Sequence, residues 1–133
     1  MVQIMSNNNT VISSALDLSK IPVVSRSATL KEALDKMTDL RLGIALIVDS
    51  QEKLIGVLTD GDLRRLLLTR QSPLPALLVT PAFEFGNRNP KFIEAGASTE
   101  EAKSLMLQNE IWDLPIVGND KKLIGLVHRH SLK

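Results

Sequence analysis

Apolar residues recur along the chain at two different periods, and the switches between them mark out the elements. Val23-Val24 reads as a short strand. From Thr29 the period becomes helical: Leu30, Ala33, Leu34, Met37 and Leu40 form one stripe, with Gly43 as the stop. Ile44-Ala45-Leu46-Ile47-Val48 is an unbroken apolar run, the pattern of a strand buried on both faces. The polar stretch Asp49–Lys53 turns the chain into a second strand, Leu54–Leu58. That strand should be antiparallel to its predecessor, because the link is too short for a crossover. A further helix starts at Thr59 or Asp60 and runs to about Thr69, with Leu63, Leu66 and Leu67 inward.

This order (strand, helix, strand, strand, helix) then occurs again. A shift of 69 positions lays Val23–Leu63 on Phe92–Leu132 without a gap, with eleven identities. Among them are Ala28/Ala97, Glu32/Glu101, Met37/Met106 and the run Lys53-Leu-Ile-Gly56 on Lys122-Leu-Ile-Gly125. Thr29 with Glu32, and Ser98 with Glu101, have capping-box spacing before each first helix. Ala102, Leu105 and Met106 repeat the stripe. Leu114–Val117 and Leu123–Val127 repeat the strand pair, joined by Gly118-Asn119-Asp120. A repeat this short cannot bury its own apolar face, so two copies should pack on each other. The expected fold is α/β (α+β), two β-α-β-β-α repeats with pseudo-two-fold symmetry, and the cleft between them would be the natural ligand site.

The expected boundaries are a lead at 1–20, a first copy at 21–70, a linker at 71–90 and a second copy at 91–133. In the lead, residues 1–10 read as disordered or tag-like, and Val11–Leu18 has room for one or two helical turns. The linker holds four of the six prolines, and Leu74–Val79 can form a short helix in it. In the second copy the last helix only begins, so the chain is expected to continue in the natural protein.

Composition narrows the function classes. Aromatics are 3% and apolar residues 44%, so the core must be aliphatic. A net charge of +1 shows no basic field for nucleic acid. The absence of cysteine excludes a disulfide framework and cysteine-ligated zinc, and it fits a cytoplasmic protein. Neither a signal peptide nor a run long enough to span a membrane is present. No Ser/His/Asp or Cys/His arrangement, carboxylate pair or Gly-rich phosphate loop points to catalysis. His128-x-His130 would share a strand face, but no third metal ligand lies near in sequence, so no metal site is expected.

The chemistry that remains sits at Gly56-x-x-Thr59-x-x-Asp62, where a strand end opens a helix. Backbone N–H groups and the positive end of the helix dipole attract phosphate there. The Thr59 hydroxyl can donate to a phosphate oxygen, and the Asp62 carboxylate can accept from two ribose hydroxyls. Gly61 would let a ligand reach the backbone beside Asp60. Thr-x-x-Asp is equally an ordinary N-cap, and the two roles are compatible.

The doubled order, with Leu54–Arg65 (LIGVLTDGDLRR) closing the first copy and Lys122–Val127 in the second, resembles a CBS-domain pair, or Bateman module. Thr59–Arg65 and Arg88-Asn-Pro90 resemble in particular the pairs on sugar-phosphate nucleotidyltransferases, which carry them at the N-terminus, and on arabinose-5-phosphate isomerases, which carry them after a sugar-isomerase domain. The position of the pair near Met1 favours the nucleotidyltransferase arrangement. The resemblance implies a regulatory module, not itself an enzyme, that binds AMP, ATP or another nucleotide or sugar nucleotide and controls a linked catalytic domain. It implies that Thr59 and Asp62 hold the ligand, with the base against Val24, Ile44, Ala45 and Leu46. It also implies a homodimer, for which the Leu-rich helices Leu30–Leu40 and Leu63–Leu68 can supply the face. A ligand-free dimerisation scaffold is the alternative. The second copy departs from the pattern: His128, Arg129, His130 and Ser131 replace Thr59, Asp60, Gly61 and Asp62, so its ribose contact is lost. His128 and Arg129 can instead offer positive charge to a phosphate, and Trp112, which replaces Gly43, can stack on a base or simply pack.

Overall fold

A computed structural model describes residues 10–132, which divide into two units, residues 20–90 and residues 10–19 with 91–132. In the first unit, β1 (Val23–Ser25) is followed by α1 (Leu30–Leu40), β2 (Ile44–Val48), β3 (Leu54–Thr59), α2 (Asp60–Thr69) and the short α3 (Leu74–Leu78). Its sheet has the order β1-β2-β3, with β1 parallel and β3 antiparallel to β2. The second unit repeats the plan with β4 (Ile93–Glu94), α4 (Thr99–Asn109), β5 (Asp113–Val117) and β6 (Leu123–His128), in the sheet order β4-β5-β6. A 3-10 turn, Arg129–Ser131, follows β6. The fold is therefore mixed α and β, as the hydrophobic periods predict. Among the described residues, no helix is long and apolar enough to cross a membrane.

Local chemistry explains where the helices begin and end. The Thr29 hydroxyl accepts from the Glu32 N–H at 3.1 Å, and the Glu32 carboxylate accepts from the Thr29 N–H, completing the capping box. Ser98 makes the first half of the same contact at α4, its hydroxyl accepting from the Glu101 N–H at 3.1 Å. Gly43 does not stop α1. The stop is Arg41, which turns left-handed (φ 58°) and returns its N–H to the last carbonyls, and Glu110 does the same for α4 (φ 53°).

In the first unit, Val24, Ala33, Met37, Ala45, Ile47, Leu58 and Leu66 form one buried cluster with Leu77 and Ala82. The strand β2 is buried along its whole length. Leu40 and Leu67, read as inward-facing, are exposed instead. On α2 the inward place belongs to Leu66, and Leu67 lies about 100° further round at 55% exposure.

The lead and the linker are not spacers. Val11 is fully buried with Ile93, Ala102, Met106 and Val127, and Leu16 pairs with Leu126. In the first unit Ala82 is buried and Asn87 pairs with Val57 in the equivalent place. Residues 10–19 thus skip the first copy in sequence and join the second, and the linker joins the first, which it directly follows. The reason is the free edge of β3 and of β6, whose N–H and C=O groups need partners. The repeated glycines make the contact possible. A Cβ on Gly125 would stand 2.9 Å from the Leu16 carbonyl oxygen, and one on Gly56 would stand 3.2 Å from that of Asn87.

The β2–β3 turn depends on Asp49, whose Oδ1 accepts from the Gln51 N–H at 2.8 Å and the Lys53 N–H at 3.0 Å. The Lys53 N–H above all, with that of Gln51 and the charges of Lys53 and Arg26, holds this carboxyl below the usual carboxylate range. A depressed carboxyl stabilises the fold above its unfolded pKa, near 4, and the benefit fades as pH falls through the folded value. Asp49→Asn should therefore lower the melting temperature at pH 7, and the gap to the parent should close below about pH 4 in a pH series of thermal melts.

Candidate functional site

The β3–α2 junction is built by the strand register. Ile44 stands opposite Thr59, so the start of β2 and the start of α2 lie side by side. The Asp60 N–H donates to the Gly43 carbonyl at 3.0 Å. A Cβ on Gly43 would fall 2.6 Å from the Asp60 carboxylate, a flexible side-chain end that can turn aside. Thr59 and Asp62 close a second capping box. The Thr59 hydroxyl accepts from the Asp62 N–H at 3.2 Å, while Asp62 Oδ2 accepts from the Thr59 N–H at 2.9 Å and its hydroxyl at 3.0 Å. Asp62 Oδ1 accepts from the Arg65 guanidinium at 2.8 Å. That guanidinium also lies over Gly61, where an added Cβ would meet it at 3.4 Å.

Thr59, Asp60, Gly61, Asp62 and Ile44 are thus brought together. Leu46 is on the same face of β2 as Ile44, two residues on, and is fully buried. Val24 and Ala45 are on the other side, packed in the core cluster with Ala33 and Met37. Arg65 joins the site through its bond to Asp62. Its i, i+3 spacing from Asp62 was the available signal.

At the corresponding place in the second unit the backbone repeats but the side chains do not. Asp113 stands opposite His128, as Ile44 does opposite Thr59. The Arg129 N–H donates to the Trp112 carbonyl at 2.7 Å, the counterpart of the Asp60–Gly43 bond. The side-chain chemistry is new. The His128 ring bonds Asp113 through Nδ1 at 2.7 Å, and the His128 N–H donates to the Ser131 hydroxyl at 3.1 Å. The Arg129 guanidinium lies 4.6 Å over the Trp112 ring, and His130 packs between Trp112 and His128 at centroid distances of 5.8 and 5.1 Å. Asp113 was not anticipated; its place 69 residues after Ile44 would have revealed it. Among the described residues, no three His, Cys, Asp or Glu side chains gather as metal ligands.

The CBS-domain family profile matches residues 3–69 and 82–133. The chain belongs to the CBS-domain family. It is similar to an uncharacterized protein of Rickettsia prowazekii, 34% identical over 113 residues, which cover 85% of this chain and 33% of that protein. It is similar also to the arabinose 5-phosphate isomerase GutQ of Shigella flexneri, 30% identical over 108 residues, covering 81% of this chain and 32% of the isomerase. The chain thus spans about a third of the length of these relatives. Among solved structures, that of CBSX2 in complex with AMP superposes with a TM-score of 0.80 at 24% identity, covering 93% of each chain.

The box at Thr59 makes a separable prediction about this CBS pair. Thr59→Ala should lower stability in denaturant melts by about 1 kcal/mol, and Thr59→Ser should keep most of it, because only the hydroxyl is required.

Proposed function

We propose that the chain is a regulatory module that binds an adenosine-type nucleotide or sugar nucleotide at the β3–α2 junction and controls an enzyme of sugar-phosphate metabolism. The observation that carries the reading is the first copy's Thr59–Asp62 pair, held at the start of a ten-residue helix beside Ile44. The AMP complex of CBSX2 supports the ligand class. The isomerase relatives support the pathway class, and they favour an arabinose-5-phosphate isomerase as the controlled enzyme over a nucleotidyltransferase.

In this reading the ribose hydroxyls replace Arg65 on Asp62 Oδ1. The pair is exposed on one side only: the Arg65 side chain is 64% exposed and that of Asp62 16%, so the arginine is the partner that can swing away into water. The released guanidinium stays within one turn of the helix N-terminus, where the phosphate would lie. Ile44, which stands opposite Thr59, is nearest the junction for the base; Leu46, like Val24 and Ala45, is buried in the core. His128 and Arg129 are engaged with Asp113 and Trp112, which leaves the first copy as the nucleotide site.

Calorimetric titration with AMP, ATP and CMP- or GDP-sugars tests the reading. One of them should bind, and Asp62→Ala should weaken it roughly 10- to 100-fold, the range for hydrogen bonds to a charged acceptor. No heat with any of them on folded protein would sink the sensor and leave the dimerisation scaffold.

Self-association is part of the same proposal. Leu30, Ala33 and Met37 are used internally, so the face of α1 is not available. On α2 and α3, Leu67, Leu68 and Leu74 are exposed, Leu68 at 79%. Sedimentation equilibrium should show a dimer, and Leu68→Asp should shift it to monomer. A dimer unchanged by that substitution would place the interface elsewhere.

A further inference from the structure

We propose that Arg65 makes the Thr59–Asp62 site select phosphorylated ligands: it holds Asp62 against an uncharged nucleoside and yields it to a ligand that brings its own anion. The inference rests on the β3–α2 junction being a nucleotide site, and it adds what decides between ligands there.

The charges at the junction carry the argument. The first turn of α2 holds two carboxylates, Asp60 and Asp62. Asp62 Oδ2 is taken by the Thr59 N–H and hydroxyl at 2.9 and 3.0 Å, which leaves Oδ1 for the Arg65 guanidinium at 2.8 Å. The two partners differ in their access to water. The Asp62 side chain is 16% exposed, so losing its cation without a replacement donor leaves a poorly hydrated carboxylate, which is costly. The Arg65 side chain is 64% exposed and keeps its hydration when it moves. Its guanidinium also reaches back over the first turn, where a Cβ on Gly61 would meet it at 3.4 Å. Arg64 starts about 100° round the helix from it.

A nucleoside and a nucleotide differ in what they give back. Ribose hydroxyls can donate to Oδ1 in place of the guanidinium. A nucleoside then exchanges a charged donor for neutral ones and sends the guanidinium into water. A nucleotide makes the same exchange, but its phosphate offers that guanidinium a new bidentate partner. Without Arg65 the phosphate would face the Asp60 and Asp62 carboxylates with no cation from this side chain between them. One residue therefore weakens the uncharged ligand and strengthens the charged one. A helix pair with only a structural role does neither: its loss lowers stability and affects both ligands alike.

Calorimetric titration with adenosine and with AMP tests this on the parent chain, Arg65→Ala and Arg65→Lys. The parent should bind AMP about 10-fold or more tightly than adenosine. In Arg65→Ala, AMP should bind about 10-fold more weakly, the loss of a charge-assisted hydrogen bond. Adenosine should bind about 3-fold more tightly there, because no ion pair has to be broken first. Arg65→Lys keeps the charge and should keep AMP the tighter ligand. Weaker binding of both ligands to Arg65→Ala, or an unchanged ratio between them, would overturn the role of Arg65. If AMP binding still depends on Asp62 in that case, the nucleotide site itself stands. A parent chain that binds neither ligand would overturn the site and this inference together.

Discussion

The edge of a β-sheet carries a row of N–H and C=O groups that must find partners, and in each unit one edge is closed by a segment from outside its own repeat. Val57 exchanges both backbone bonds with Asn87 at 3.0 and 2.8 Å, and Leu126 exchanges both with Leu16 at 3.1 and 2.8 Å. The approach is close enough that neither Gly56 nor Gly125 has space for a side chain without displacing backbone. Beneath the crossing segments, Val11 and Ala82 occupy the same place, each donating its N–H to a matching alanine carbonyl, Ala97 and Ala28. The closing segments share almost no sequence, yet they make the same bonds. The constraint acts on backbone geometry, and any chain that leaves the Cβ space empty and buries one small apolar residue satisfies it.

The same dependence on backbone bonds lets the two copies keep one junction while their side chains there differ. The strand–helix junction is fixed in both by the same two elements: a register pair across the sheet and an N–H to the carbonyl at the strand entrance. Once main-chain bonds hold the junction, its side chains are free to change. The first copy keeps the hydroxyl and carboxylate that cap a helix. In the second, a histidine–aspartate bond and a Trp–Arg–His stack occupy the same positions. A threonine and a histidine can therefore stand at the same backbone site while offering a ligand quite different chemistry.

The apolar periods made the strands and helices legible, because alternation and helical stripes report burial directly. Capping boxes were legible because Thr29 and Glu32 are three residues apart in sequence as well as in space. The lead and linker were not, since their partners, Leu126 and Val57, are more than 25 residues away and the pairing is through the backbone, which leaves no side-chain signature. The only trace in the sequence was the repeated glycine, whose purpose needs the partner to be seen. Gly43 misled for a related reason: it reads as a helix stop, but it lies beyond the end of α1, against the Asp60 side chain of another element. At the candidate site, the residue types were legible and their engagement with one another was not. The spacings Thr59-x-x-Asp62-x-x-Arg65 permit each contact singly, but they do not say that Asp62 holds Thr59 on one oxygen and Arg65 on the other at once.

That prior engagement bears on how such a site would work. A carboxylate aimed at solvent binds a diol at the cost of its hydration alone. One that holds an arginine must first release it, so the ligand-free state has its own closed arrangement at the junction. The arginine is the mobile partner, because its side chain is 64% exposed while that of Asp62 is 16% exposed. A ligand that replaces the arginine would favour an open arrangement by no more than its preference for that arrangement. The capping bonds to Thr59 use Asp62 Oδ2 and the arginine uses Oδ1, so a change of partner at Oδ1 does not require the cap to break. A module built this way can register a nucleotide without unfolding the element that reports it.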